Sequence, residues 1–197
     1  MARTNSNENP IAEGKGTNFL GVLGGFERLK GKAALEAALA LLPPEIEHPI
    51  RYGQILSMGW YSVHWYQALL EAFCKSTNAW GFSLVRTLAR QGTAEDFQRF
   101  HGIVLRLLST KTVTRHVPRL MQLYWRGGSA QSVDLEDGVT VLLFTGWKGF
   151  SPIVWEDIAG SSEAIIDLSG GKGAQARVAH LGAGGADAEI EVRWRNS

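Results

Sequence analysis

Sulfur is scarce in this chain. A single cysteine, Cys74, stands among 197 residues, which excludes an intrachain disulfide and any zinc or iron–sulfur site built from several thiolates. An excess of one charge is missing as well: 20 Lys and Arg against 19 Asp and Glu give a formal net charge of +1. No general field therefore draws the chain to nucleic acid or to an anionic membrane. No apolar run approaches the roughly 20 residues that span a bilayer. Residues 1–16 are polar and lack the apolar core of a secretory signal. The simplest location for such a chain is the cytoplasm. Catalytic signatures are absent too: there is no Gly-x-Ser-x-Gly elbow and no His-x-x-x-His pair.

What is present is an ordinary globular composition, 45% hydrophobic and 20% charged, long enough to bury one full core. Residues 1–16 offer almost nothing to bury and are expected to form a disordered tail, with a single domain over 17–197. Phe19–Leu23 reads as a short strand. Lys32–Leu42 reads as a helix stopped by Pro43-Pro44, followed by an irregular connection to Gly59. From Ser62 the spacing of Val63, Tyr66, Leu70 and Phe73 is helical. Trp80–Gln91 predicts another helix, ended by Gly92. Thr93 then resembles an N-cap, with Glu95 and Asp96 in the first turn of a helix carrying Phe97, Phe100, Val104 and Leu107. Val113, Val117, Leu120, Met121 and Tyr124 mark a further helix that Pro118 should kink or start.

Beyond Gly127-Gly128 the pattern changes to strands. Gln131–Leu135 and Val139–Phe144 predict a hairpin turned at Glu136-Asp137-Gly138. Ser151-Pro152 opens a last helix that ends at Gly170-Gly171. Ala174–Leu181 and Ala188–Arg195 close the chain as paired strands. In the latter, Ala188, Ile190, Val192 and Trp194 alternate without a miss with Glu189, Glu191 and Arg193, so the apolar set should face the helices. The fold class is α+β: a helical N-terminal half packed on a small twisted antiparallel sheet, with a C-terminal helix and β-hairpin.

Few residues invite a functional reading. Gly170-Gly171-Lys172-Gly173 lacks the preceding strand and following hydroxyl of a phosphate loop, and reads as a helix cap and turn. His64, His101 and His116 each sit in a predicted helix without a second ligand at metal spacing, so no metal site is expected; His64 and His101 lie among aromatics. The run Trp60-Tyr61-Ser62-Val63-His64-Trp65-Tyr66 either lines an apolar pocket or packs the core. The candidate ligand-binding or interface residues are Trp60, Tyr61, His64, Trp65, His101 and Tyr124.

Several short stretches occur in a familiar order: Leu42-Pro43-Pro44-Glu45, Gly59-Trp60-Tyr61-Ser62-Val63, and Leu88-Ala89-Arg90-Gln91-Gly92-Thr93-Ala94-Glu95-Asp96. Val117-Pro118-Arg119-Leu120, Tyr124 and the closing Ala188–Trp194 follow. In this the chain resembles a heavily duplicated family of myxobacterial proteins of about this length. That family is similar to the wider group of four-vinyl-reductase, haem-NO-binding-like and vesicle-tethering (TRAPP-like) domains. The resemblance implies helices against an antiparallel sheet, used for small-molecule sensing or for protein assembly. Relatives' cysteines in the last helix and last turn are replaced here by Val154-Trp155-Glu156-Asp157 and Gly185-Ala186-Asp187-Ala188. The Tyr-x-Ser-x-Arg haem-propionate motif is also missing, so no cofactor is expected. The expected function is a non-catalytic regulatory or sensory module that binds a small apolar or amphipathic ligand or a partner protein. A structural dimerisation scaffold without a pocket is the alternative. A homodimer, or a heterodimer with a related chain, is expected through aromatic-rich helices over residues 62–73 and 93–108, where Trp and Tyr are typical of interface cores.

Overall fold

The computed structural model describes residues 10–100 and 109–195, the side chains at 97–100 excepted. β1 (Glu13–Lys15) leads directly into α1 (Gly16–Lys30), α2 (Lys32–Leu39) and α3 (Pro44–Arg51). β2 (Trp60–Ser62), α4 (Val63–Ser76), α5 (Ser83–Phe100), α6 (Thr110–Tyr124) and β3 (Trp125–Arg126) follow. The chain closes with β4 (Ser129–Glu136), β5 (Val139–Thr145), α7 (Pro152–Leu168), β6 (Lys172–Leu181) and β7 (Ala188–Arg195). This is the α+β class expected, with the helical half first and the hairpin, last helix and paired strands in their predicted order.

The four-stranded sheet runs β4-β5-β7-β6, antiparallel throughout. Gly138, at φ +78°, turns the β4–β5 hairpin as its Asp-Gly sequence requires. In β7, Ile190, Val192 and Trp194 are buried while Glu189 and Arg193 are exposed. The register is thus fixed by the period-two pattern, since a one-residue slip would bury the charges. Across the molecule a relay of ring contacts, Phe19–Tyr66–Trp125–Phe150–Trp155–Phe144, joins the helices to the sheet at centroid spacings of 4.6–5.2 Å.

Several local expectations are corrected. Phe19–Leu23 is not a strand but part of α1, whose buried Phe19, Val22 and Phe26 carry helical spacing. The connection over 45–59 contains α3, with Pro44 at its first turn, so Pro43-Pro44 ends one helix and starts the next. Gly92 does not stop a helix: α5 runs through it. Nor does Pro118 start one; α6 begins at Thr110 and is capped by Ser109, whose Oγ accepts from the Thr112 backbone N–H at 3.2 Å. The tail boundary at residue 16 is too late. Ala12 is fully buried, and β1 is the middle strand of a second, three-stranded sheet, β2-β1-β3. Residues 1–9, and Val104 and Leu107 of the predicted second half of that helix, lie outside the described residues.

A candidate ligand cavity between four helices

The continuity of α5 through Gly92 has a spatial reason. Thr93 Oγ donates to Ser161 Oγ of α7 at 3.0 Å, and Arg90 reaches Glu163 and Asp167 at 3.1 and 2.6 Å. Such tertiary contacts on both sides outweigh the roughly 1 kcal/mol that glycine costs a helix. Where the side chain is missing, α5 comes close to α1: a Cβ at Gly92 would lie at van der Waals distance, 4.0 Å, from the Gly21 carbonyl carbon.

Gly21 and Gly92 line a cavity of about 390 Å³ bordered by α1, α5, α6 and α7 and open to solvent at one end, with Tyr66 of α4 and Trp125 of β3 at its wall. Its apolar surface comes from Val22, Leu88, Val117, Met121, Ile158 and Ile165. Its volume lies in the range of small-molecule sites, which are apolar with a few convergent polar groups. Three polar pairs supply these. Tyr66 Oη donates to Asp157 Oδ1 at 3.0 Å, Tyr124 Oη donates to Asp96 Oδ2 at 3.0 Å, and Arg28 pairs with both Glu95 oxygens at 2.7 Å. The last pair and the exposed Leu20 stand at the solvent end, whereas Tyr66 and Asp157 are buried.

The electrostatics differ from pair to pair. Burial pushes the Asp157 carboxyl up to about 7, against the opposing pull of the Tyr66 hydrogen bond. Burial, and then the neighbouring carboxylates Asp157 and Asp96, hold the Tyr66 and Tyr124 hydroxyls above the usual phenol range. Both tyrosines therefore stay protonated and donate. Among the described residues no cation pairs with Asp157, and Tyr66 is its one hydrogen-bond donor.

Of the residues singled out from sequence, Tyr124 lines this cavity. The other described ones lie elsewhere. Arg126 stacks on the Trp60 ring at 3.8 Å, within the three-stranded sheet. Tyr61 Oη accepts from the Leu56 backbone N–H at 2.8 Å and its ring stacks on Trp65. The exposed His64 covers Gly149, where a Cβ would lie 2.8 Å from its Nε2. His101 lies outside the described residues. Sequence reasoning missed Asp157 and Asp96. A carboxylate on an apolar helix face, one turn after Ile153 and Val154 and next to Ile158, was the available signal for Asp157; Asp96 looked like a first-turn residue of a helix that in fact begins at Ser83.

The chain shares its fold with haem-NO-binding (H-NOX) domains of known structure. An unliganded Fe(II) H-NOX protein from K. algicida is 13% identical, with 93% of this chain and 97% of that one covered at a TM-score of 0.71. An oxygen-binding H-NOX domain related to soluble guanylate cyclases, in its oxygen complex, is 10% identical, covering 92% and 95% at a TM-score of 0.66. A point mutant of the T. tengcongensis H-NOX is likewise 10% identical, covering 92% and 98% at 0.68. No family model matches the chain, and a comparison with curated proteins returns no match. At these identities the likeness is one of fold.

Haem does not suit the described residues of the cavity. Haem iron is held by imidazole, thiolate, thioether with imidazole, or phenolate. No histidine or cysteine is among the described lining residues, and both lining tyrosines are engaged as donors to carboxylates. The two propionates of haem would meet three carboxylates and one cation, Arg28, which Glu95 already holds.

Proposed function

We propose that this chain is a non-catalytic sensory module that binds a small amphipathic ligand in the cavity between α1, α5, α6 and α7. One observation carries the reading: an apolar space of about 390 Å³ into which the Tyr66–Asp157 and Tyr124–Asp96 pairs converge. The fold supports it, since one structural neighbour is an oxygen-binding H-NOX domain. A ligand touching four helices at once would couple its presence to their relative positions, which is what a sensor needs.

A second reading, a scaffold that pairs with another copy or a related chain, draws on a different observation. Tyr52, Leu56 and Met58 are 65–72% exposed on the connection between α3 and β2, and Trp80 is 91% exposed. The aromatic-rich α4 gives it less support, because Tyr66 and Phe73 are buried within the chain.

Native mass spectrometry of the freshly purified protein tests both. The expected result is a monomer-based species carrying an added mass of a few hundred daltons at most, the size that a cavity in this range holds, without Soret absorption. A chain always at its bare mass, in a stable dimer, would replace the sensor by the scaffold.

A further inference from the structure

Charge identifies the class of ligand. Asp157 and Glu163 are the two buried carboxylates among the described residues, at 4% and 6% exposure, and they are treated very differently. Glu163 is fully compensated: Arg86 and Arg90 reach it at 3.0 and 3.1 Å, and the Ala176 backbone N–H donates to it at 2.9 Å. Asp157 sits on the same helix, at the cavity, with one neutral donor on Oδ1 and none among the described residues on Oδ2. A buried carboxylate without a cation is costly unless something else supplies the charge.

We infer that the cavity takes a small organic cation, a protonated primary amine on an apolar body. Its ammonium group sits against Asp157, and its body lies along Leu88, Val117, Met121, Ile158 and Ile165. An ammonium group has three donors and no acceptor, which matches a site whose free valence is an acceptor oxygen. Tyr66 and Trp125, in edge-to-face contact at 5.1 Å, line the same end of the cavity. Asp96, held by the neutral Tyr124 hydroxyl, and Glu95 keep the potential negative toward the solvent end. The same arrangement disfavours the dianionic porphyrin. This assignment rests on the cavity being a ligand site, as proposed above.

Three probes of one skeleton separate the possibilities: 2-phenylethylamine, 2-phenylethanol and phenylacetate, titrated calorimetrically into the full chain. At about pH 8 the amine is protonated and Asp157 is ionised. The amine is expected to bind roughly tenfold or more tighter than the alcohol, as a charge-assisted contact allows, and phenylacetate not to bind. Asp157→Asn, which still accepts from Tyr66, should abolish that preference and leave amine and alcohol equal. Gly92→Leu, which sets a bulky side chain in the cavity wall, should abolish binding of both. If the alcohol or phenylacetate binds as tightly as the amine, or Asp157→Asn retains the preference, the cation assignment is wrong and the cavity remains a ligand site. If no probe binds, or Gly92→Leu binds them unchanged, the cavity reading falls and the assignment with it.

Discussion

Asp157 shows how one residue ties stability to function. Its carboxyl, raised by burial to about 7, keeps its proton in the folded chain over a range where an unfolded chain, with an ordinary aspartate, has lost it. Folding therefore takes up a proton between about pH 4 and pH 7. The sign follows: with respect to this group stability is greatest below that window, declines as pH rises through it, and is level above about 7. Asp157→Asn keeps the acceptor for Tyr66 and never ionises. Without ligand, the variant should match the native chain near pH 4 and exceed it by at least about 1 kcal/mol near pH 8. Urea unfolding at the two pH values checks this. A variant less stable than the native chain at the higher pH would mean that the ionised carboxylate is satisfied in the unliganded fold.

At the scale of elements, the contact between α5 and α7 is the one that shapes the cavity wall. Arg86 spans three partners: Glu156 at 2.6 Å, Glu163 at 3.0 Å and the Ala176 carbonyl at 2.7 Å, so it fastens α5 to α7 and to β6 together. In the sequence it is one of several arginines spread through the helical half. Only the fold brings Glu156, 70 residues away, to its side. Its side chain is 27% exposed, which makes the network neither surface decoration nor fully desolvated. Arg86→Ala leaves Glu163 with Arg90 and leaves Glu156 with an unfilled acceptor. It should cost roughly 2–3 kcal/mol, below the 3–5 of a fully buried pair. Arg86→Lys should recover little of it, since a single ammonium cannot reproduce the planar fork. Chemical denaturation of the two variants measures this; a loss no larger than that of an exposed pair, below about 1 kcal/mol, would show the network to be incidental.

At the scale of the whole molecule, the N-terminus decides how the two sheets are held. Ala12 N–H donates to the Lys148 carbonyl at 2.8 Å and the Ala12 carbonyl accepts from Val63 N–H at 2.9 Å, so this short segment ties α4 to the loop before α7. Gly14, mid-strand in β1, lets the Trp125 ring lie across it, where a Cβ would come within 2.8 Å. Deleting residues 1–9, which are polar in sequence, should leave the melting temperature unchanged. Deleting 1–16 removes β1, the buried Ala12 and the first residue of α1 and should lower it by at least about 10 °C, the shift that some 3–4 kcal/mol produces in a domain of this size. Scanning calorimetry of the two truncations decides; equal melting temperatures would mean that β1 is an ornament.

The sequence by itself determined the elements whose burial follows a local period. The alternation in β7, the Asp-Gly hairpin and the helical spacing from Val63 to Phe73 each place their apolar face without knowledge of any partner, because side-chain direction is set by the backbone a few residues at a time. Three things were decided only by tertiary structure. Helix α5 passes through Gly92 because contacts from α7 exceed a small local preference. Glu13–Lys15 becomes a strand because Trp60–Ser62 and Trp125–Arg126 flank it, and a three-residue strand has no period of its own to read. The cavity joins Tyr66, Asp96, Tyr124 and Asp157, which come from three helices besides α5 and lie up to 91 residues apart in hydrogen-bonded pairs. No local pattern encodes an empty space. It exists where four apolar faces meet around two glycines, and that meeting is a property of the packed molecule.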